Sequence, residues 1–280
     1  MRSLLLICLI GITRCWGQQL TQDQIVRVPV IFHIIYSDRH HSGAEGANKS
    51  ENLTDDIIQA ELKDLTRDFM LANKDTSEVL EVFKSRIGNP NVEFYLADTL
   101  LQSGGTKGII RVKTSRNKSK LYKRSPVIDP GKYLNVYIGN IGGRFAPSAT
   151  TWANPKTDAV YLGFDWVGQG YRLLTHEAGH WFGLLHLHGS GGGKGDRYSC
   201  SDGDGIEDTP PQSEATQPNG DCDNCPAPFG NAVDKSCKPG QPSNYNNFMD
   251  YSGCRRMFTV GQVKRMRENI AKFRKELIKL

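Results

Sequence analysis

One segment, HEAGHWFGLLH, which begins at His176, constrains this chain more than any other. A helix would place His176 and His180 on one face, with Glu177 projecting beside them. Gly183 can adopt the left-handed conformation that ends a helix, and the following turn would bring His186 to the same place. Three protein ligands with one open position are typical of a catalytic zinc, whereas structural zinc sites use four. The segment therefore predicts a zinc site.

The alternative is a buried amphipathic helix whose histidines only satisfy backbone groups. Four of the seven histidines in the chain fall between residues 176 and 188. This concentration favours metal binding.

The first 17 residues have the pattern of a secretory signal. A positive charge precedes an apolar run too short to span a bilayer, and small residues precede Gln18. The alternative is a buried N-terminal helix. We expect a secreted protein in which residues 18–280 form one domain, with an N-terminal subdomain (18–183) and a C-terminal subdomain (184–280).

Charge argues against two classes of partner. Removal of residues 1–17 would lower the formal net charge from +5 to +3. Such a mild excess favours neither nucleic acid nor a membrane surface, and the basic residues of the last helix are interpreted as a solvated face. We expect a monomer.

Five cysteines follow the zinc segment, and they predict two disulfides in an oxidising compartment with one cysteine left over. A second zinc site is the alternative. The five are Cys200, Cys222, Cys225, Cys237 and Cys254. Glycosylation sequons begin at Asn48, Asn52 and Asn117.

Hydrophobic patterns predict a lobe in which strands alternate with helices, which implies an α/β arrangement with a mixed sheet. Strands are predicted at 25–36, 92–97, 109–112, 134–138 and 159–162, and helices at 54–72, 77–87, 171–182 and after Thr259. His33 lies alone on the first strand, where a packed core histidine is the usual case. Residues 189–251 show almost no periodic pattern, which predicts irregular structure held by disulfides and a bound cation.

Met249 lies in the segment NFMDY, far past His186. A methionine turn after HExxHxxGxxH is the metzincin signature. The chain resembles one metzincin family, the pappalysins, in four segments that together extend over most of the chain. They are RVPVIFHIIY, HEAGHWFGLLH, GDGIEDTP and NFMDYSGCRRMFTVGQVKRM.

The resemblance implies a metzincin fold of the α/β (α+β) class. Its N-terminal lobe would hold a twisted mixed sheet with helices, the zinc helix would lie at the base, and an irregular disulfide-stapled lobe would end in a helix. It also implies a secreted zinc-dependent endopeptidase that acts on proteins or peptides. His176, His180 and His186 would hold zinc and Glu177 would be the general base. Tyr251 would stabilise the oxyanion, above a floor formed by Met249.

A structural calcium ion is a further implication of the resemblance. Asp204 and Thr209 would bind it, with Ser201 and Glu207 lending backbone oxygens. The residues by themselves favour a solvated acidic turn, because the acidic ligands of an EF-hand loop are incomplete here.

The resemblance also implies a cysteine pairing, of Cys200 with Cys237 and of Cys225 with Cys254. Cys222 is then left over, although it could equally be the partner of Cys254. Relatives that prefer a basic residue after the scissile bond carry an acid near position 255, where this chain has Arg255 and Arg256. The arginine pair would repel such substrates.

Other functions are compatible with parts of the pattern. An astacin-like or matrixin-like protease would share the zinc segment but not NFMDY or GDGIEDTP. A catalytically silent zinc-bearing binding or toxin module would be expected to lack a ligand or the base, and a metal-stabilised structural protein would close the zinc site. The first strand begins almost at once after residue 17, so we expect no long inhibitory prosegment.

Overall fold

The computed structural model describes residues 20–21, 23–39, 41, 48–99, 101, 103–115, 121–141, 148–149, 154–189, 200, 203–216 and 236–279. The strands are β1 Val26–Tyr36, β2 Ile87–Gly88, β3 Val92–Leu96, β4 Ile109–Lys113, β5 Leu134–Gly139, β6 Ser148–Ala149, β7 Val160–Gly163 and β8 Phe258–Thr259. The helices are α1 Asp55–Phe69, α2 Glu81–Lys84, α3 Leu173–Trp181 and α4 Val260–Phe273. The signal expected at residues 1–17 and the sequon at Asn117 lie outside these ranges.

β1 pairs with three other strands of the main sheet. β3 and β4 pair with successive halves of β1 on one side, and β5 pairs with it on the other. β7 follows β5, and β6 ends this order as an edge strand. All of these pairs are parallel except β6 with β7, so the sheet is mixed, as expected.

The two faces of β1 enter different cores, because successive side chains of a strand point to opposite faces. Its even-numbered apolar residues pack with α1 and α3 in the main core, which continues through Met249 into α4. Ile31 and Ile35 enter two smaller clusters on the opposite face. Burial on both faces explains why β1 is a continuous apolar run.

The five strand predictions and three of the four helix predictions are confirmed, with small differences at the ends. Thr259 begins α4 with a capping box, in which Gln262 N–H donates to the Thr259 hydroxyl. The predicted helix at 77–87 is present only in part. A 3₁₀ segment and the single-turn α2 replace it, because Leu80 N–H donates to Asn246 Oδ1 and β2 pairs with β8.

The disulfide between Cys200 and Cys237 is present, with their Cα atoms 5.5 Å apart. Cys254 is disulfide-bonded as well. Its partner lies outside the described ranges, as do Cys222 and Cys225, so the choice between them stays a prediction. Among the described helices, none combines the length and apolar character that crossing a membrane requires.

His33 is a buried core histidine, as predicted from its place on the first strand. Its Nδ1 lies 2.7 Å from Ser125 Oγ and its Nε2 lies 3.0 Å from Asn135 Oδ1. Asn135 Nδ2 donates to the Ile128 carbonyl, which fixes Oδ1 as an acceptor, so His33 Nε2 carries the proton. The ring also stacks on Tyr137.

The burial of His33 predicts that the folded protein loses stability in acid. Burial lowers the pKa of His33 from 6.5 to about 4. Between these pH values the unfolded chain binds the extra proton, so stability is present above pH 6.5 and is lost as pH falls toward 4. The loss is at most about 3 kcal/mol. Denaturant unfolding at pH 7.5 and 4.5 should show a smaller drop for His33→Phe than for the wild type, and equal drops would contradict the prediction.

Candidate active site

α3 carries the HEAGH part of the zinc segment, and its N-terminal end is stabilised by another helix. Its first turn contains no acidic residue and it has no side-chain cap of its own. Two buried carboxylates of α1 supply the missing acceptors at this end of α3. Glu61 accepts from Leu174 N–H, and Asp68 accepts from Thr175 Oγ1 at 2.8 Å. Burial raises the pKa of Glu61 to about 7 and that of Asp68 to about 6. Acceptors at this end complement the helix dipole.

The C-terminal end of α3 turns at Gly183, whose φ is 86°. Gly183 N–H donates to the His180 carbonyl at 2.8 Å, and Leu184 N–H donates to the Gly179 carbonyl at 3.0 Å. This is a Schellman motif, in which glycine avoids the strain of a left-handed residue. The left-handed turn expected at Gly183 is therefore present, and it returns the chain so that His186 faces α3.

The structure brings the three predicted histidines together. Nε2 of His176 lies 3.2 Å from Nε2 of both His180 and His186, and the last two are 2.9 Å apart. His176 Nδ1–H donates to the Phe248 carbonyl at 2.7 Å, and His180 Nδ1–H donates to the Leu184 carbonyl at 2.8 Å. Because a carbonyl only accepts, the Nε2 atoms of these two rings carry lone pairs.

This arrangement fits a zinc ion. Converging lone pairs repel one another unless a cation lies between them. The separations approach the roughly 3.3 Å that zinc–nitrogen bonds of about 2.0–2.1 Å give in a tetrahedron. Burial lowers the pKa of all three imidazoles, and that of His186 falls to about 3, so the neutral form that binds metal is favoured. Among the described residues, this is the cluster with metal-ligand geometry.

Glu177 and Tyr251 lie beside the histidine cluster. Glu177 is 3% exposed, and its Oε2 has no hydrogen-bond partner in the described part of the chain. Burial raises the pKa of Glu177 to about 8, against the opposing effect of Arg255. Tyr251 is 39% exposed and its hydroxyl lies 3.1 Å from His186 Nε2. A buried carboxylate and an accessible phenol therefore flank the site where a metal fits.

Met249 lies directly beneath α3. Its backbone N–H donates to Asn247 Oδ1 at 2.9 Å, and Asn247 exchanges two side-chain hydrogen bonds with Gln262 of α4. Its sulfur occupies the space that a side chain on Gly179 would need. Glycine at the fourth position of HEAGH thus allows the methionine turn to approach the helix.

Gly179→Ala should consequently be destabilising. The added methyl group would overlap Met249 Sδ and lie 3.5 Å from Phe258 Cε1. Overpacking of this kind costs about 1–3 kcal/mol, which denaturant unfolding can measure. Met249→Ala provides space, so the double variant should be more stable than the two single losses predict. If the stability losses of the two single variants simply added in the double variant, the proposed overlap would be contradicted.

The two arginines after Cys254 have different surroundings. Arg256 donates to Glu78 at 2.5 Å and lies 3.7 Å from Asp75, so acids of the chain offset its charge. Arg255 is buried, donates to the Tyr171 carbonyl at 2.6 Å, and acts electrostatically on Glu177. Of the pair, Arg255 is the one whose field reaches the histidine site.

Two residues named for the expected calcium site, Asp204 and Thr209, are in contact with each other. Thr209 Oγ1 donates to Asp204 Oδ1 at 2.6 Å, while Asp204 Oδ2 is buried without a partner among the described residues. Burial raises the pKa of Asp204 to about 6. Glu207 is exposed, and Ser201 lies outside the described ranges.

Four groups that support the histidines and α3 were not predicted from the sequence. They are the Phe248 and Leu184 carbonyls, which the sequence does not distinguish from any other backbone oxygen, and the side chains of Glu61 and Asp68. The two acids lie seven residues apart on the apolar face of α1, between buried leucines and phenylalanine. Carboxylates within such a face are a signal from which they could have been found.

Comparisons with known proteins agree with this geometry. The sequence model of the peptidase M43 family, described as pregnancy-associated plasma protein-A, matches residues 121–271, which is more than half of the chain. This chain belongs to the peptidase M43 family. The resemblance to pappalysins is thereby confirmed, and the metalloendopeptidases of this family are the enzymes to which the chain is related.

Several fungal relatives of this M43 chain are named extracellular metalloproteases. One from Pyricularia oryzae is 24% identical over 93% of this chain and 89% of its own length. Extracellular metalloprotease 1 of Coccidioides posadasii is 30% identical over 74% of this chain and 72% of its own. The match to the Arthroderma otae protein reaches 39% identity, but it spans 37% of this chain and 33% of that protein.

Solved structures confirm the metzincin fold expected from the sequence. Mature mirolysin of Tannerella forsythia, in complex with a cleaved peptide, matches 91% of this chain and 98% of its own, at 26% identity and a TM-score of 0.69. A promirolysin variant from the same organism matches 90% of this chain and 84% of its own, with 27% identity and a TM-score of 0.73.

Proposed function

We propose that this M43 chain is a secreted zinc-dependent endopeptidase in which His176, His180 and His186 hold the zinc. The observation that carries the proposal is the convergence of the three imidazoles, two of them with Nδ1 fixed by backbone carbonyls, beside the buried Glu177 carboxylate. A zinc ion held there supplies Lewis-acid activation of the scissile carbonyl and of a water molecule.

Glu177 is the proposed general base. Its Oε2 is buried and has no hydrogen-bond partner among the described residues, so the ionised carboxylate can take a proton as water attacks the peptide carbonyl. The same group then delivers that proton to the leaving amine. Tyr251 is the proposed oxyanion donor, since its pKa is raised by burial and its hydroxyl stays protonated.

The proposed substrates are proteins or peptides bound in an extended conformation. β6 ends the sheet order next to β7, and α3 contacts both strands. An edge strand offers unpaired backbone groups to an extended chain. A cleaved peptide in the similar mirolysin complex supports this class of substrate.

Secretion, the domain boundaries and a monomeric state are part of the same proposal. Residues 1–17 carry the signal pattern, and the named relatives are extracellular. Residues 18–280 would form the catalytic domain, with subdomains that divide at residue 183. The disulfide between Cys200 and Cys237 is consistent with an oxidising compartment.

A structural calcium ion at Asp204 and Thr209 is a second proposal, supported by the buried Oδ2 of Asp204. Calcium at a hundredfold excess over its Kd should stabilise the zinc-saturated protein by about 3 kcal/mol, which appears as a higher Tm. Magnesium serves as the control ion, and Asp204→Asn should abolish the calcium effect. A Tm that does not respond to calcium would overturn this site.

The proposed function is tested by digesting a peptide library with the purified protein, with and without a zinc chelator, and reading the products by mass spectrometry. Chelator-sensitive cleavage is expected. The residues around each cut will also show whether the arginine pair disfavours basic side chains. No cleavage by a folded sample with one zinc per chain would instead favour a catalytically silent binding module.

A further inference from the structure

The last turn of α3 leaves two carbonyl groups that its own backbone does not satisfy. The Schellman motif at Gly183 occupies the carbonyls of Gly179 and His180. Those of Trp181 and Phe182 remain, because the last carbonyls of a helix have no partner within it. Both lie between His180 and the turn that leads to His186.

One side chain of α4 and the side chain of Arg274, which follows α4, donate hydrogen bonds to these two carbonyls. Asn269 Nδ2 donates to the Phe182 carbonyl at 2.9 Å, and an Arg274 guanidinium nitrogen donates to the Trp181 carbonyl at 3.1 Å. The two donors are 87 and 93 residues away from their acceptors. Cationic and N–H groups at this end also complement the helix dipole.

Arg274 is itself held firmly. It is 1% exposed and forms two hydrogen bonds with Asp158, at 2.9 and 3.0 Å. It also donates to the Pro130 carbonyl at 3.1 Å, and its guanidinium lies 3.4 Å from the Trp181 ring centroid. The end of α3 is therefore fixed to the segments that precede β5 and β7.

The peptides that Asn269 and Arg274 hold come directly before those that set the histidine geometry. The Leu184 carbonyl accepts from His180 Nδ1, and His186 follows two residues later. A rotation of the Phe182 or Gly183 peptide would change the orientation of His180 and the position of His186 together.

We propose that Asn269 and Arg274 are positioning residues for the histidine site, acting as external C-terminal caps of α3. This inference rests on the proposed zinc site. It also extends the functional part of the chain beyond residue 271, where the match to the family model ends.

The test is zinc affinity, measured by competition with a chromogenic chelator on folded protein well below its Tm. Asn269→Leu removes the donor while keeping a good helix former, and should weaken zinc binding about tenfold, as loss of a supporting group does. Asn269→Gln keeps the amide and should recover most of the affinity. Glu268→Leu, at the adjacent exposed position, is the matched control.

A second variant separates positioning from stability. Arg274→Met combined with Asp158→Leu removes both buried charges together, a replacement that often preserves stability. It also removes the donor to the Trp181 carbonyl, so zinc affinity should fall while the Tm stays close to that of the wild type. The same variants should lower kcat more than they change KM.

A purely structural cap predicts the opposite pattern, in which the Tm falls and the folded protein keeps its zinc affinity. Wild-type affinity in Asn269→Leu would overturn the inference. Failure of the wild type to bind one zinc per chain would instead overturn the proposed function.

Discussion

Glu177→Gln should lower kcat/KM for peptide hydrolysis by about 10²–10⁴-fold while zinc stays bound. Glutamine has the same shape but cannot take a proton at Oε2 from the attacking water. The folded protein should be no less stable, because burial already disfavours the ionised carboxylate at this position. Single-substrate kinetics, with zinc content measured by atomic absorption, check both statements.

The control for this variant is Glu268→Gln, which removes a carboxylate from an exposed position of α4. Its kcat/KM should match that of the wild type. Equal activity of Glu177→Gln and the wild type would show that another group transfers the proton. It would also remove the main distinction between an enzyme and a silent zinc-binding scaffold.

Phe69→Ala should have the largest effect on stability. Phe69 is fully buried at the end of α1, and its ring lies 5.1 Å from Phe94, 5.8 Å from Phe182 and 4.9 Å from Phe258. Phe258 in turn contacts Phe248, whose carbonyl orients His176. Truncating a buried phenylalanine costs about 3–5 kcal/mol.

Denaturant unfolding of Phe69→Ala should show this loss, together with a Tm lower by roughly 10 °C. Phe69→Leu fills most of the cavity and should lose less. Val82→Ala, at an exposed apolar position of α2, is the control and should remain close to the wild type. A loss below 1 kcal/mol for Phe69→Ala would show that the aromatic cluster repacks around the cavity.

Sequence patterns predicted the strands well because a buried parallel strand needs a continuous apolar run and a helix needs a regular apolar face. They predicted too long a helix at residues 77–87, where Asn246 and β8 hold both ends of the short α2 segment in other conformations. Those partners are remote in sequence, so the spacing of apolar residues within 77–87 cannot predict them.

In the histidine segment, too, some features follow from local sequence and others depend on contacts with remote segments. The spacing of His176, His180 and His186 determined that a helix followed by a left-handed glycine turn would bring three imidazoles together. Local backbone geometry suffices for that conclusion, because i and i+4 lie on one helix face.

Only the tertiary structure decided which nitrogen of the His176 and His180 rings is free and what holds the helix in place. The Phe248 carbonyl orients His176, the α1 carboxylates occupy one end of α3, and Asn269 and Arg274 occupy the other. Backbone carbonyls carry no side-chain identity, and buried polar groups find their partners only when distant segments pack. The sequence by itself therefore determined which three imidazoles come together, whereas their orientation and support depend on contacts that exist only in the folded chain.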